Sequence, residues 1–248
     1  MNLVLITESE ITHGLSSNDE RTQHLCGTVG LKVGDTFYVG VANGRRGLAK
    51  ILALSPQLTF AVVWEKTIQP RLPLKVIVGL PRPQTAKKVL HDLASLGVDE
   101  IIFFQPEKGD PGYATSSLWK NDEWLDSLKK GAEQACSTHL PKVQHFASLK
   151  ITLETLPNLG QGLALDPYEA TEALGVAASS KSPVTLALGP ERGWSANERV
   201  LLREKHFQFY HLGDRILRVE AAALVGSALV LSQMKVWHAH QPLNLPRD

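Results

Sequence analysis

The pattern of apolar and polar positions changes once along the chain, near residue 72. Before that point apolar residues fall in short, β-branched runs of strand length: Leu3–Ile6, Thr36–Val41, Leu48–Leu54 and Leu58–Trp64. Turn signals separate them at Gly34-Asp35, Asn43-Gly44 and Ser55-Pro56. Several short strands at such spacing predict a small β-barrel domain over residues 1–72. Asn43-Gly44-Arg45-Arg46-Gly47 predicts a hairpin turn with two arginines at its tip, and Pro70 and Pro73 around Arg71-Leu72 mark a linker.

Beyond the linker the texture alternates between buried strands and helices. Leu74–Leu80 is a continuous apolar run, the mark of a strand covered on both faces. Gln84–Leu96 carries a helical stripe stopped by Gly97. Ile101–Phe104 predicts a strand, Glu123–Cys136 a helix, Gly162–Leu165 a strand, Tyr168–Leu174 a helix stopped by Gly175, and Val184–Leu188 a strand. A helix at Ser195–Lys205, a strand at Phe207–Leu212 and a long apolar helix at Val219–Trp237 follow. This alternation predicts an α/β domain with a mainly parallel sheet over residues 73–240. The tail from Gln241 to Asp248, with Pro242 and Pro246, is expected to be loose or docked.

Composition narrows the function classes. The 248 residues are 43% hydrophobic and 21% charged, enough for a sizeable core, and the net charge of +1 excludes a strongly basic nucleic-acid sponge while leaving room for a local basic patch. Cys26 and Cys136 cannot form a disulfide framework. The nine histidines are scattered without metal-ligand spacing, so no metal site is expected. The longest apolar run, Ala221 to Leu231, is too short to cross a bilayer, and the N-terminus lacks the features of a signal peptide. The expectation is a cytoplasmic protein.

In open parallel sheets ligands bind beyond the carboxyl ends of the strands. That rule selects three loops here. One follows Leu165, at Asp166-Pro167. The second follows Leu188 and reads Gly189-Pro190-Glu191-Arg192-Gly193-Trp194. Its glycines permit close backbone approach to a ligand, and Ser195 with Glu198 forms a capping box for the next helix. It lacks the P-loop lysine, and the chain holds no G-x-G-x-x-G, so ordinary nucleotide motifs are excluded. The third follows Leu212 and reads Gly213-Asp214-Arg215-Ile216-Leu217-Arg218, with Glu220 in the first turn of the helix beyond. An ordinary strand–turn–helix connection explains the second loop alone. Likewise, dipole compensation explains Glu220 and pairing with Asp214 explains Arg218. Two glycine-bearing loops, both with Arg and a nearby Glu, point instead to a shared site.

Those two segments carry a resemblance. Gly189-Pro190-Glu191-x-Gly193-Trp194-Ser195-x-x-Glu198 and Leu212-Gly213-x-Arg215-Ile216-Leu217-Arg218-x-Glu220-x-Ala222 resemble the signature of the RsmE family, SPOUT-superfamily RNA methyltransferases that methylate N3 of a uridine in small-subunit ribosomal RNA. His24-Leu25, Leu31–Asp35, Leu96–Ile102 and Glu133-Gln134 extend the likeness along the chain. The resemblance implies a SPOUT-type trefoil-knotted α/β domain behind a small PUA-like β-barrel, S-adenosylmethionine as cofactor, a homodimer, and ribosomal RNA or the small ribosomal subunit as partner. It implies cofactor contacts from Leu165, Leu188, Gly189, Pro190, Glu191, Gly193, Leu212, Gly213, Ile216 and Leu217. Chemistry is assigned to Arg215, Arg218 and Glu220, because uridine N3 carries a proton that a base must take while cations steady the anion left behind. Arg45, Arg46, Arg82 and Lys87 are the expected RNA contacts.

The chain departs from the family pattern in places. Arg192 stands for a glycine, Val219 and Ala221 for threonines, Asp92 and Ser95 for a lysine and a glutamate, and Ser137 for an arginine. Glu107-Lys108-Gly109 only approximates a family Glu-Arg-Ser segment, and Val29-Gly30-Leu31 does not reproduce a Val-Leu-Arg. Two alternatives stand beside methylation of 16S ribosomal RNA: a non-catalytic RNA-binding relative, or an enzyme acting on another RNA. His91 and Asp92, adjacent on a helix, are expected to diverge.

Overall fold

Alternating burial builds the first sheet. The computed structural model describes residues 2–176 and 183–237; the expected tail, and residues 238–240 of the expected second domain, lie outside the described residues. Strands β1 (Val4–Ile6), β2 (Leu15–Ser16), β3 (Thr36–Val41), β4 (Arg46–Ala53) and β5 (Gln57–Trp64) form a sheet in the order β1-β3-β4-β5-β2. Only β1 and β3 pair in parallel. Phe37, Val39, Ala49, Ile51, Leu58 and Phe60 point to one side and close a core with Val4, Ile6, Leu15 and Leu25. Helix α1 (Glu8–His13) starts in a capping box of Thr7 and Glu10, and α2 (Glu20–Gln23) is capped by Asp19. Neither helix shows an apolar stripe long enough to be read from sequence.

Among the described residues this first unit comprises 2–70 and 132–140. The later segment joins it through named bonds. Glu133 accepts the Leu5 N–H at 3.0 Å, and Thr138 donates its hydroxyl to the Gly44 carbonyl at 2.7 Å. Cys136, with Leu3 and Leu5, forms a small second cluster. Thus nine residues from deep inside the expected second domain complete the first unit.

The hairpin at Asn43-Gly44 forms, but Arg46 is the first residue of β4 rather than a tip residue. Its guanidinium pairs with Glu65 at 2.8 Å, donates to the Cys136 carbonyl at 2.7 Å and lies over the Tyr38 ring at 5.5 Å. With 10% of its side chain exposed, Arg46 is a structural cation, which corrects its assignment as an RNA contact. Arg45 remains exposed, its guanidinium 5.9 Å from the Trp64 ring centroid. The linker is shorter than expected: Pro70 ends the first unit and Leu72 already begins the next strand, whose register shifts between Leu72 and Lys75, where Pro73 is tolerated.

Among the described residues the second unit comprises 71–131, 141–176 and 183–237. Its strands are β6 (Leu72–Gly79), β7 (Val98–Phe104), β8 (Lys142–Phe146), β9 (Gln161–Leu165), β10 (Glu172–Ala173), β11 (Val184–Leu188) and β12 (Gln208–His211). They form one sheet, β10-β12-β9-β11-β6-β7-β8, with every pairing parallel. Helices α3 (Pro83–Leu96), α4 (Ser117–Lys120), α5 (Glu123–Gln134), α6 (Leu149–Thr155), α7 (Ala196–Glu204) and α8 (Val219–Gln233) connect or flank them. On one face Ile77, Ile102, Phe104, Ala164 and Ala187 meet α6 and α7 through Leu149, Leu153 and Leu202. On the other face α3 and α8 pack together. There Gly226 lets α8 approach closely, since a Cβ on it would lie 3.0 Å from Leu165 and 3.1 Å from Leu186.

The expected helix at Tyr168–Leu174 does not form. Asp166 captures the Tyr168 N–H with its carboxylate at 2.9 Å, and the chain turns at residues 167–169 before β10 and a 3-10 turn at Leu174–Val176. A side-chain-driven turn has outcompeted a weak apolar period. Strand β8 and helix α6 were not legible, being short and weakly patterned. No helix among the described residues is long and apolar enough to cross a membrane.

Candidate active site

The carboxyl ends of β9, β11 and β12 open onto a cavity of about 530 Å³ in the second unit. The three loops beyond those strands line it, joined by the starts of α3 and α8. Its size falls within the range of small-molecule sites.

The loop after β11 is held rigidly. Gly193 sits at φ +66° and donates its N–H to the Pro190 carbonyl at 2.8 Å. A Cβ there would reach only the Tyr168 ring, at 3.4 Å, so the demand for glycine is conformational. Trp194 is buried, donates its indole N–H to the Leu165 carbonyl at 2.8 Å and stacks on Phe104. Glu198 closes the predicted capping box with Ser195, and its other oxygen accepts the Glu107 N–H at 3.0 Å. Lys108 donates to the Trp194 carbonyl at 2.7 Å. The Glu107-Lys108 pair therefore braces this loop.

Charge is unevenly satisfied around the cavity. Asp166 is fully buried and bound by Arg199 at 2.6 and 3.3 Å; this pairing holds the Arg199 guanidinium above its usual range, burial opposing. Glu191 accepts the Arg82 backbone N–H at 3.0 Å, with the Arg82 Nε 3.9 Å away. Glu220, 16% exposed in the first turn of α8, faces the Lys88 ammonium at 3.6 Å. Arg215 and Arg218 line the cavity, and among the described residues neither has a carboxylate within ion-pair distance. Arg218 thus has no described ion pair with Asp214. The site is set up to receive negative charge. Burial pushes the Tyr210 phenol at the cavity wall upward, so it stays neutral.

Comparison with known proteins places the chain in a family. The family described as RNA methyltransferase domain matches residues 68–231. Ribosomal RNA small subunit methyltransferase E of Treponema pallidum is 32% identical over 98% of this chain and 95% of its own length. The chain belongs to this RNA methyltransferase family. Ribosomal RNA small subunit methyltransferase E 1 of Borreliella burgdorferi is 30% identical, covering 94% of this chain and 99% of its own. The fold agrees with the crystal structure of the Neisseria gonorrhoeae methyltransferase E bound to S-adenosyl methionine: TM-score 0.75, 21% identity, 96% of this chain and 98% of that one.

Within this methyltransferase the structure gathers Leu165, Leu188, Gly189, Pro190, Glu191, Gly193, Leu212, Ile216, Leu217, Arg215, Arg218 and Glu220 around one cavity, with Arg82 at its edge. Gly213 does not line it; at φ +99° it turns the loop while its N–H meets His211 Nδ1 at 3.1 Å. Lys87 also lies off the cavity, ion-paired with Glu123. The lining also includes Lys88, and Thr85, Tyr168, Tyr210 and His211, the last four of which sequence reasoning did not assign. For Lys88 a signal existed in the basic start of α3, but its partner Glu220 is remote in sequence. His91 and Asp92 do meet, Nδ1 to Oδ1 at 2.9 Å, because both rotate along the helix surface. Ser95 donates to the His91 and Gly131 carbonyls, both at 2.9 Å, so two of the departures fill local bonding roles.

Proposed function

We propose that this methyltransferase transfers a methyl group from S-adenosylmethionine to N3 of a uridine in 16S ribosomal RNA. The observation that carries the reading is one cavity that joins rigid glycine-bearing loops to a carboxylate and two guanidiniums without an ion pair among the described residues. The residues present fit the cofactor: backbone donors and acceptors of the loop after β11 suit its polar groups, and Ile216 and Leu217 offer apolar surface beside them. When bound, the cofactor supplies an electrophilic methyl group. The chain's own part is positioning, proton transfer and charge stabilisation.

In this reading Glu220 accepts the N3 proton, and the Lys88 ammonium 3.6 Å away holds that carboxylate in place. Arg215 and Arg218 hold the uracil oxygens on which negative charge collects, the arrangement of preformed donors that lowers a barrier most. Leu165, Leu188, Gly189, Pro190, Glu191, Gly193, Leu212, Ile216 and Leu217 hold the cofactor, while Gly213 supports the loop. The first unit acts as a PUA-like holder of RNA, with exposed Arg45 on a phosphate, and Arg82 serves the same purpose beside the cavity. The crossing from β11 through β12 into α8 is the knotted part of the chain, a rare departure from unknotted topology. Leu224, Val225 and Leu229, 37%, 42% and 36% exposed on α8, form the apolar face for a second copy in a homodimer working in the cytoplasm.

Mass spectrometry of ribosomal RNA nucleosides from cells with and without the protein tests the reading. Loss of one N3-methyluridine from the small-subunit RNA is the expected result. An unchanged nucleoside profile there, with a change in transfer RNA, would move the activity to another RNA.

A further inference from the structure

A second concavity of the second unit, of about 300 Å³, lies at the other edge of its sheet. Trp119, Trp124 and His145 line it, with Ala114, Val143 and Gln144. Its aromatic content is unusual for a chain with 6% aromatic residues. Phe103 lies beneath, 5.2 Å from the Trp119 ring and 6.1 Å from His145, and Trp119 and His145 are 4.8 Å apart. Among the described residues the buried indole N–H of Trp119 has no acceptor, whereas Trp indoles usually find one. Trp124 is held by its N–H to Asp122 at 3.3 Å.

We propose that this pocket binds an unstacked nucleobase of the RNA substrate, a few nucleotides along the strand from the one presented at the cavity. The proposal rests on the methyltransferase reading above. Its first support is chemical. Single-stranded RNA is held by stacking bases on aromatic side chains while base edges find hydrogen bonds, and the pocket offers both. The rings supply the stacking surface. Strand β8 is the edge of the sheet, so its outward backbone groups have no neighbouring strand to bond.

The second support is placement. Phe103 and His145 are register partners one residue from the carboxyl ends of β7 and β8. The cavity lies at the carboxyl ends of the same sheet. Three strand spacings separate β11 from β8, roughly 14 Å, which about four nucleotides cover at a stacked rise of 3.4 Å. Ile102 and Phe104 face α6 and α7, so by alternation Phe103 faces the side of α3 and α8, the side that carries Lys88 and Glu220. Lys87 and Lys88 of α3 are exposed on that side, and Lys87 is paired to Glu123, the neighbour of Trp124. Lys88 lines the methyl-transfer cavity and Lys87 pairs with the sequence neighbour of the pocket's Trp124, so a phosphate backbone joining the two bases would run along this face of α3.

The test measures binding and turnover with the same proteins. A labelled, uridine-rich single-stranded oligoribonucleotide is titrated into wild type, Trp124→Ala, His145→Ala, Trp124→Phe and Trp119→Phe, with fluorescence anisotropy as the readout. Trp124→Ala is expected to weaken binding about tenfold, the scale of losing one stacked base. His145→Ala follows in the same direction, and Trp124→Phe keeps most of the affinity. In methyl transfer to small-subunit RNA, Trp124→Ala raises KM more than it lowers kcat, while cofactor affinity is unchanged. If wild type transfers methyl groups and both alanine variants match it in affinity and KM, the subsite is wrong and the enzyme reading stands. If wild type transfers none but Trp124→Ala still loses oligonucleotide affinity, the subsite stands and the enzyme reading falls. Wild-type oligonucleotide affinity in both alanine variants, with loss of binding to an extended peptide instead, would assign the edge of β8 to a protein partner and overturn the proposal.

Discussion

Arg21 and Arg46 of the first unit and Arg215 and Arg218 of the second are used in opposite ways. In the first unit Arg21 binds Glu10 at 2.5 Å and Asp19 at 2.7 Å and donates to the Leu5 carbonyl at 2.7 Å. Arg46 is as fully engaged by Glu65, Cys136 and Tyr38. In the second unit Arg215 and Arg218 stand at a cavity wall with no carboxylate in reach among the described residues. A guanidinium with its hydrogen bonds met inside the protein holds a fold together. One left unmet beside a cavity is available to a ligand, and the difference is invisible in composition.

This contrast predicts a graded set of outcomes. The largest effect belongs to the unpaired cations: Arg218→Ala should slow methyl transfer about a hundredfold or more, the scale of losing one donor to a developing anion, while the melting temperature changes little. Rate measurements at saturating cofactor and RNA, with a melting curve, check both halves. Glu220→Gln is its companion. The variant loses the proton acceptor, so its rate should recover partly as pH rises and uridine sheds its proton unaided; a wild-type rate across the pH range would leave Glu220 with dipole compensation only.

Next comes Gly193→Val. The backbone at φ +66° disfavours a β-branched residue, so the loop must rearrange. Cofactor affinity should fall at least tenfold by calorimetry, and retention of wild-type affinity would show that the loop tolerates another conformation.

The paired arginines should respond in stability instead. Arg21→Ala leaves two partly buried carboxylates without their donor and should cost about 1–3 kcal/mol in denaturant unfolding. It should also change the acid limb. The hydrogen bond from Arg21 holds Asp19 below its usual range, partly opposed by burial. A depressed folded value gives stability that is complete above the ordinary carboxylate range and lost as pH falls through the folded value. The wild type should therefore lose stability toward low pH more steeply than Arg21→Ala, and parallel curves would refute the role of this network. The smallest effect is expected from Arg45→Ala: a few-fold loss of RNA affinity and a flatter salt slope, as one phosphate contact releases fewer counterions.

The Leu74–Leu80 run was legible as a doubly covered strand because its sheet buries both faces, and the Ser195–Glu198 capping box marked the start of α7. The cavity loops were legible for the same reason: strand ends and glycines fix where a parallel sheet binds. What escaped were features that side chains create at long range. Asp166 is held by Arg199 thirty-three positions on, Arg46 finds Cys136 ninety positions away, and Lys88 meets Glu220 from another helix. Local periodicity contains none of these partnerships.

The central claim is that the cavity beyond β9, β11 and β12 is a methyl-transfer site acting on ribosomal RNA. It is tested most directly by incubating the purified protein and S-adenosylmethionine with small ribosomal subunits from cells lacking the protein, then identifying modified nucleosides by mass spectrometry. The account predicts N3-methyluridine at a single position with wild type, and a yield at least a hundredfold slower with Arg218→Ala. Equal rates for the two proteins, or no methylated uridine with wild type, would contradict it.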